Sequence, residues 1–297
     1  MKTQELVKYL SFAITCGYLS WGLTSCDGQE AMSSDNWATL ETGFKDPKAE
    51  YRTAPFAVWN GKVTKEEVER TIQELKDAGS GGAFIHPRPG LITEYMSDEW
   101  YSLYRHAVDY GKKNDMNIWI YDENSYPSGF AGGHVPELMP ESYNQGQGLA
   151  LKKAELLPEK LDNCFICLKK EGDKWKDITN EVDSYKQKKG EYYLYEKTFY
   201  GRSDWYGGYS YVDVMVKGVT EKFIDVTMQG YEKVAKNEFG KTIPGIFTDE
   251  PNIQSSGGLR WTPDLFDVFQ QKWNYDLRPL LPLLEEEVGN WKEVRHN

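Results

Sequence analysis

The chain has 297 residues, a formal net charge of -11 and an aromatic content of 14%, with 10 tryptophans and 20 tyrosines. Its acidic balance argues against a nucleic-acid partner, because binding to the phosphate backbone depends on cationic side chains. After the N-terminal stretch no run of about eighteen apolar residues occurs, so the sequence predicts a soluble body. The aromatic residues suit stacking on the apolar faces of sugar rings, although cores and interfaces use the same residues.

The N-terminus has the pattern of a lipoprotein signal peptide. Residues 1–25 combine Lys2 and Lys8 with a short apolar stretch, and small residues precede Cys26. We expect lipidation at Cys26, followed by a polar tether over residues 26–50. A plain signal peptide or a disordered tail is the alternative. The lipoprotein interpretation predicts a protein of the bacterial cell envelope, held by its lipid at the outer membrane or cell surface.

The body begins with strands that alternate with helices. Apolar strands are predicted at residues 55–60, 81–86 and 116–121. Between them, Thr64 and Ser97 each have the features of a residue that opens an amphipathic helix. The alternation predicts a parallel βαβαβ unit, which makes residues 51–142 the first part of a (β/α) barrel. Functional groups in such folds gather at the carboxyl ends of the strands, which here are followed by Asn60, His86, Arg88, Asp122 and Glu123.

Residues 143–212 have a different character, with short strands and charged hairpin breaks. They predict a small antiparallel β insertion after the third strand. The insertion is either a surface decoration or a wall of the substrate pocket, with Trp205 and Tyr206 as stacking rings. Within it, Cys164 and Cys167 lie in an apolar strand and have no further zinc ligands nearby, which favours buried thiols over a metal or redox pair, with a disulfide as the alternative.

The α/β alternation resumes after the insertion. A helix over residues 219–239 and a strand ending in Asp249 and Glu250 are predicted, followed by a helix from about residue 262. We assign residues 213–297 to the continuing barrel. A complete (β/α)8 barrel needs about 250 residues without insertions, and four strands are recognisable here. We therefore expect this chain to be a truncated part of a longer protein.

The paired acidic residues at strand ends point to carbohydrate cleavage. Glycosidic hydrolysis usually requires two carboxyl groups, one of which protonates the leaving oxygen. Glu250 is predicted to be this acid, because partial burial at a strand end raises the pKa of a carboxyl group. Asp249 should point away from Glu250 along the strand. The alternative is an Asp-Glu-Pro turn that only caps the strand.

Asp122 and Glu123 are predicted to bind sugar hydroxyls or a cation, or to tune the acid electrostatically. Simple turn hydrogen bonding by Asp122 and Asn124 is the alternative. The glycines of residues 129–133 permit close backbone approach to a ligand, with His134 as a contact to a hydroxyl. His86 is either a binding residue or a loop anchor.

Four motifs together resemble a known family: Trp59-Asn-Gly61, residues 82–90, residues 121–133 and residues 247–251. They are similar, in this order, to the amino-terminal part of the catalytic region of glycoside hydrolase family 106, the α-L-rhamnosidases. The resemblance implies a (β/α)8 barrel, hydrolysis of terminal α-L-rhamnosides of plant or complex polysaccharides with inversion, envelope export and further β-sandwich domains. It also implies calcium near the sugar, no organic cofactor, and a second catalytic carboxylate beyond Asn297.

The motifs carry Glu250 as the catalytic acid and six substrate-binding residues: Asn60, His86, Arg88, Asp122, Glu123 and Asp249. His134, directly after the third motif, is added to the predicted substrate-binding residues because it follows the glycine-rich segment. The motifs depart from the family pattern at Asn124-Ser-Tyr126 and at the prolines that flank Arg88, which puts the identity of the substrate in question. Two other hypotheses for the function remain. One is a surface lipoprotein that binds sugar without catalysis, and the other is a related barrel glycosidase that acts on another deoxysugar or a uronide.

Overall fold

The computed structural model describes residues 37–297. The predicted signal peptide and Cys26 lie outside this range. The chain divides into two units at residue 48. In the described part of the first unit, residues 37–45 of the predicted tether form a helix.

Within residues 37–297 the α-helices and strands have the following bounds. The helices are α1 (Trp37–Lys45), α2 (Lys65–Asp77), α3 (Asp98–Lys113), α4 (His134–Leu138), α5 (Val219–Ala235), α6 (Leu265–Trp273) and α7 (Trp291–His296). The strands are β1 (Phe56–Trp59), β2 (Gly82–Pro87), β3 (Asn117–Tyr121), β4 (Gly148–Ala154), β5 (Cys164–Glu171), β6 (Lys174–Asp177), β7 (Tyr192–Thr198), β8 (Ile246–Phe247) and β9 (Leu259–Arg260). None of the helices in this range is long and apolar enough to span a membrane.

The first sheet is parallel and has the order β1-β2-β3-β8. Ile85, Ile118 and Ile120 of this sheet are buried beneath α2 and α3. The helix starts agree with the sequence prediction. The Thr64 hydroxyl accepts a hydrogen bond from the backbone N–H of Glu67 in a complete capping box at the start of α2. At the start of α3 the Ser97 hydroxyl accepts a hydrogen bond from the backbone N–H of Trp100. The described residues therefore form an α/β fold in which the carboxyl ends of the four parallel strands lie on the same side of the first sheet.

The second sheet is antiparallel and has the order β6-β5-β7-β4-β9. Its core joins Leu149 and Tyr195 to Trp261, Phe266 and Leu281. The segment from residue 259 to the C-terminus, which was assigned to the continuing barrel, therefore packs against this sheet. The cause is a large group of apolar side chains in residues 261–284 that cover the apolar face of β4, β5 and β7. Cys164 and Cys167 are free thiols on β5, the first half-buried and the second buried.

Candidate functional site

The carboxyl ends of the parallel strands form a cluster of polar side chains. Asp122 follows β3 and is buried, with 4% of its surface exposed. Of the carboxylates at these strand ends, only Glu123 is more buried. Its two oxygens each accept a hydroxyl hydrogen bond, from Ser128 Oγ at 2.6 Å and from Thr248 Oγ1 at 2.7 Å. The same Ser128 Oγ accepts the backbone N–H of Asp249 at 2.8 Å. Asp122 thus joins the loop after β3 to the loop after β8.

Burial raises the pKa of Asp122, while the hydroxyl groups of Ser128 and Thr248 act in the opposite direction. Asp122 and Thr248 also line a cavity of about 470 Å³. The other walls of this cavity are mostly apolar side chains of α5, including Phe223 and Met228. The site therefore places a hydrogen-bonded carboxylate beside an apolar surface.

Tyr121 positions the second carboxylate of the cluster. Its hydroxyl oxygen lies 2.6 Å from Asp249 Oδ2 and 2.7 Å from the carbonyl oxygen of Ser125. One proton serves one acceptor at a time, and an ionised carboxylate is the stronger acceptor. Burial and the neighbouring Asp249 both raise the pKa of Tyr121, so the phenol stays a donor. Asp249 is consequently held half-buried at the edge of the sheet.

His86 lies between two aromatic rings. It stacks on Phe56 with ring centroids 4.7 Å apart, and the edge contact with Tyr121 has a centroid distance of 3.9 Å. Burial, together with the nearby Arg88, lowers the pKa of His86 to about 4, although Asp249 acts in the opposite direction. His86 is therefore a neutral imidazole near neutral pH, and its buried Nδ1 has no hydrogen-bond partner in the described part of the chain.

Glu123 has a structural role that the sequence did not predict. It is fully buried, and its carboxylate accepts five backbone N–H groups, those of Asn124, Gly129, Phe130, Ala131 and Gly132. Burial raises the pKa of Glu123 to about 8 against the lowering effect of these N–H groups. Both oxygens are fully used, so the prediction that Glu123 contacts sugar is wrong.

The glycine-rich segment after Glu123 was expected to approach a ligand with its backbone. Its N–H groups instead surround the Glu123 carboxylate. His134 begins α4 and is half-buried. No hydrogen bond among residues 37–297 links its ring to Asp122 or Asp249. The structure therefore does not bring His134 into the cluster.

Glu250 differs from its predicted setting. Strand β8 ends at Phe247, and residue 250 adopts a left-handed backbone conformation with φ of 44°. The side chain is exposed, and no residue of the described range bonds or pairs with its carboxylate. The expectation of partial burial is wrong because the strand stops three residues before Glu250. Asn60, at the end of β1, is exposed as well.

Sequence reasoning missed three members of the cluster, Tyr121, Ser128 and Thr248. Thr248 and Tyr121 immediately precede predicted acidic residues, and a hydroxyl beside a strand-end carboxylate was the available signal. Ser128 offered no such signal, because its role depends on the path of the loop. In residues 37–297 no group of three or more His, Cys, Asp or Glu side chains is arranged to hold a metal ion. Calcium near the sugar therefore stays a prediction.

Fold and site together define an α/β protein with a polar cluster at the carboxyl ends of parallel strands, a place where such proteins bind ligands. No protein-family model matches the sequence, and no curated protein matches it either. Among solved structures, a rhamnosidase from Novosphingobium sp. PP1Y is similar, with a TM-score of 0.53 and 12% sequence identity. The match covers 82% of this chain and 42% of that one. The chain therefore has a rhamnosidase-like fold and spans less than half the length of that protein.

Proposed function

We propose that the chain is the amino-terminal part of the catalytic barrel of a family 106 glycoside hydrolase that cleaves terminal α-L-rhamnosyl residues. One observation carries the proposal. Asp122, His86 and Asp249 lie together at the carboxyl ends of the parallel strands, in a chain with a rhamnosidase-like fold. The apolar wall beside Asp122 supports a 6-deoxysugar, which carries a methyl group in place of a hydroxymethyl group.

In this proposal the protonated carboxyl group of Glu250 donates its proton to the leaving oxygen. The side chain is exposed near the carboxyl ends of the parallel strands, so it is free to contact a substrate there. Asp249, fixed by Tyr121, accepts a sugar hydroxyl. The neutral His86 can exchange a hydrogen bond with the sugar without adding charge. A second carboxylate that activates water belongs, in an inverting enzyme, about 6.5–9.5 Å from the acid. We propose that a part of the protein outside this chain supplies it.

The envelope location, the lipid anchor on Cys26 and the polysaccharide substrate form part of the same proposal. The exposed, unpaired Glu250 also favours a second candidate, a protein that binds sugar at this edge without cleaving it. A test of hydrolysis separates the two.

The test is hydrolysis of aryl α-L-rhamnosides and other aryl glycosides by the full-length protein. Loss of a general acid costs about 10²–10⁴ in rate, so Glu250→Gln should lower kcat by that factor on a phenyl rhamnoside. The loss should be much smaller on a dinitrophenyl rhamnoside, whose leaving group needs little protonation. Glu159→Gln, an exposed substitution in the insertion, is the matched control and should have wild-type kcat.

Three results would contradict the proposal. Near-normal phenyl rhamnoside cleavage by Glu250→Gln would remove Glu250 as the acid. Cleavage of another aryl glycoside in place of the rhamnoside would overturn the substrate. Binding of rhamnose without hydrolysis of any glycoside would favour the non-catalytic candidate.

A further inference from the structure

A second polar cavity lies beside the cluster, at the loop after β2. It has a volume of about 390 Å³ and is called the Arg88 pocket here; its lining residues are Arg88, Pro89, Gly90, Leu91, Asn124, Ser125, Asp204 and Trp205. Three separate chain segments form it, the loops after β2 and β3 and the segment after β7. The pocket therefore adjoins the candidate catalytic site without using Asp122 or Glu250.

The backbone that carries Arg88 is fixed in a tight turn. The Leu91 N–H donates to the Arg88 carbonyl at 3.1 Å, with Pro89 and Gly90 between them. Gly90 has φ of +99°, and a Cβ there would lie 2.8 Å from the Asn60 carbonyl oxygen. Proline followed by a residue with positive φ is the arrangement of a type II turn. The position of Arg88 is thus set before any ligand binds.

The Arg88 side chain has no anionic partner. No carboxylate in the described part of the chain lies within ion-pair distance of its guanidinium, and its Nη1 is buried without a hydrogen-bond partner. The Tyr126 ring lies beneath it, 5.4 Å from the guanidinium carbon. Asn124 Oδ1, also in the pocket, is buried and unpartnered as well. Leaving buried polar groups without hydrogen-bond partners is unfavourable, so a ligand that satisfies both groups gains binding free energy.

The segment after β7 supplies an aromatic surface and an acidic group. Trp205 donates its indole N–H to the Tyr126 carbonyl oxygen, and the two rings make an edge contact with centroids 5.4 Å apart. The Trp205 side chain remains 37% exposed. Asp204 is exposed and pairs with no cation among residues 37–297. The pocket thus offers a free cation, a ring and free acceptors.

We propose that the Arg88 pocket is a subsite for an acidic sugar unit, a uronate, of the polysaccharide whose cleavage is proposed above. The planar guanidinium of Arg88 pairs with the uronate carboxylate, since this geometry suits two parallel hydrogen bonds. Trp205 packs on the pyranose ring, and Asp204 with Asn124 Oδ1 accepts its hydroxyl groups. A neutral sugar would leave the Arg88 charge unpaired. Inorganic phosphate or sulfate has too few donors for these acceptors.

The test compares two probes that differ in one charge, methyl α-D-galactopyranosiduronate and its methyl ester. Calorimetry on the wild-type full chain should show the acid binding about tenfold or more tightly than the ester, a factor worth about 1.4 kcal/mol. Arg88→Gln should abolish this difference. Arg202→Gln is the matched control, because Arg202 also lies over a tyrosine ring, that of Tyr143, but outside the pocket. It should keep the full preference.

Equal affinities of acid and ester for the wild-type protein, or no binding of the acid, would overturn the inference without any variant. An unchanged preference in Arg88→Gln would do so too. Competition by sulfate as effective as competition by the uronate would show a general anion site and also contradict it. Binding is measured without turnover. A uronate preference without rhamnoside hydrolysis therefore refutes only the proposed function, and hydrolysis without the preference refutes only this subsite.

Discussion

Replacement of Glu123 tests whether one buried carboxylate holds the loop of residues 124–132. Glutamine keeps one acceptor oxygen and puts an amide nitrogen in place of the other. If that nitrogen takes the Oε1 position, the N–H groups of Asn124 and Gly132 lose their acceptor. Two unsatisfied buried N–H groups cost about 2–6 kcal/mol. Glutamine also avoids burying a charge, which burial disfavours here, so we expect the low end, about 2–3 kcal/mol.

Alanine at position 123 leaves all five N–H groups without their acceptor. Its cost should be at least about 5 kcal/mol, which is comparable to the whole stability of many domains. Urea unfolding at pH 7, followed by tryptophan fluorescence, measures both variants. In a separate thermal unfolding experiment, Glu123→Gln should lower Tm by roughly 4–12 °C, at about 2–4 °C per kcal/mol for a chain of this size.

Glu137 provides the matched control for this experiment. It lies in α4, close to Glu123 in sequence, and is exposed. Substitution of Glu137 by Gln or Ala should change the free energy of unfolding by no more than about 0.5 kcal/mol. A Glu123→Gln protein as stable as wild type, or an alanine variant no less stable than the glutamine variant, would refute the role assigned to the carboxylate.

Two further predictions concern residues around the same edge. The folded-state pKa of His86 is lowered to about 4, so the unfolded chain binds the proton more tightly, and the stability that His86 contributes above pH 6.5 is lost as pH falls towards 4. A ring titration by NMR should have its midpoint below 5, and a midpoint above 6 would contradict the burial argument. Gly90→Ala should destabilise the fold by about 1–3 kcal/mol because of its positive φ and its contact with a carbonyl oxygen. Gly61→Ala, which meets open space, should not. Equal effects in urea unfolding would exclude a strained turn.

The features that follow from local patterns could be predicted from the sequence. Thr64 and Glu67 form the expected capping box, since both partners lie within one helical turn. The parallel strands and their order along the chain follow from apolar runs that alternate with amphipathic helices. The polar residues after those strands meet at one edge because parallel strands end on the same side. Asp122 and Asp249 were identified by this rule.

The features that depend on distant segments could not be predicted. The backbone N–H groups that surround the Glu123 carboxylate come from the nine-residue loop 124–132, which folds back on the side chain that precedes it. No periodic pattern in the sequence encodes that path of the loop. Strand β9 pairs with β4, for example Leu149 with Leu259, across a long stretch of chain. Glu250 is exposed because β8 has only two residues. The sequence analysis predicted a longer strand that ends at Glu250. The apolar run from 245 to 247 is compatible with both the longer strand and the two-residue strand.

The chain passes between the two sheets three times, through residues 122–147, 199–245 and 248–258. Each of these connections carries part of the proposed sugar site: Asp122 in the first, Trp205 in the second and Glu250 in the third. No single cut in the chain can therefore separate the parallel sheet from the antiparallel one as independent pieces. A ligand that draws the three connections together would also limit movement of one sheet against the other, so occupancy of the site and rigidity of the whole unit are linked by the path of the chain.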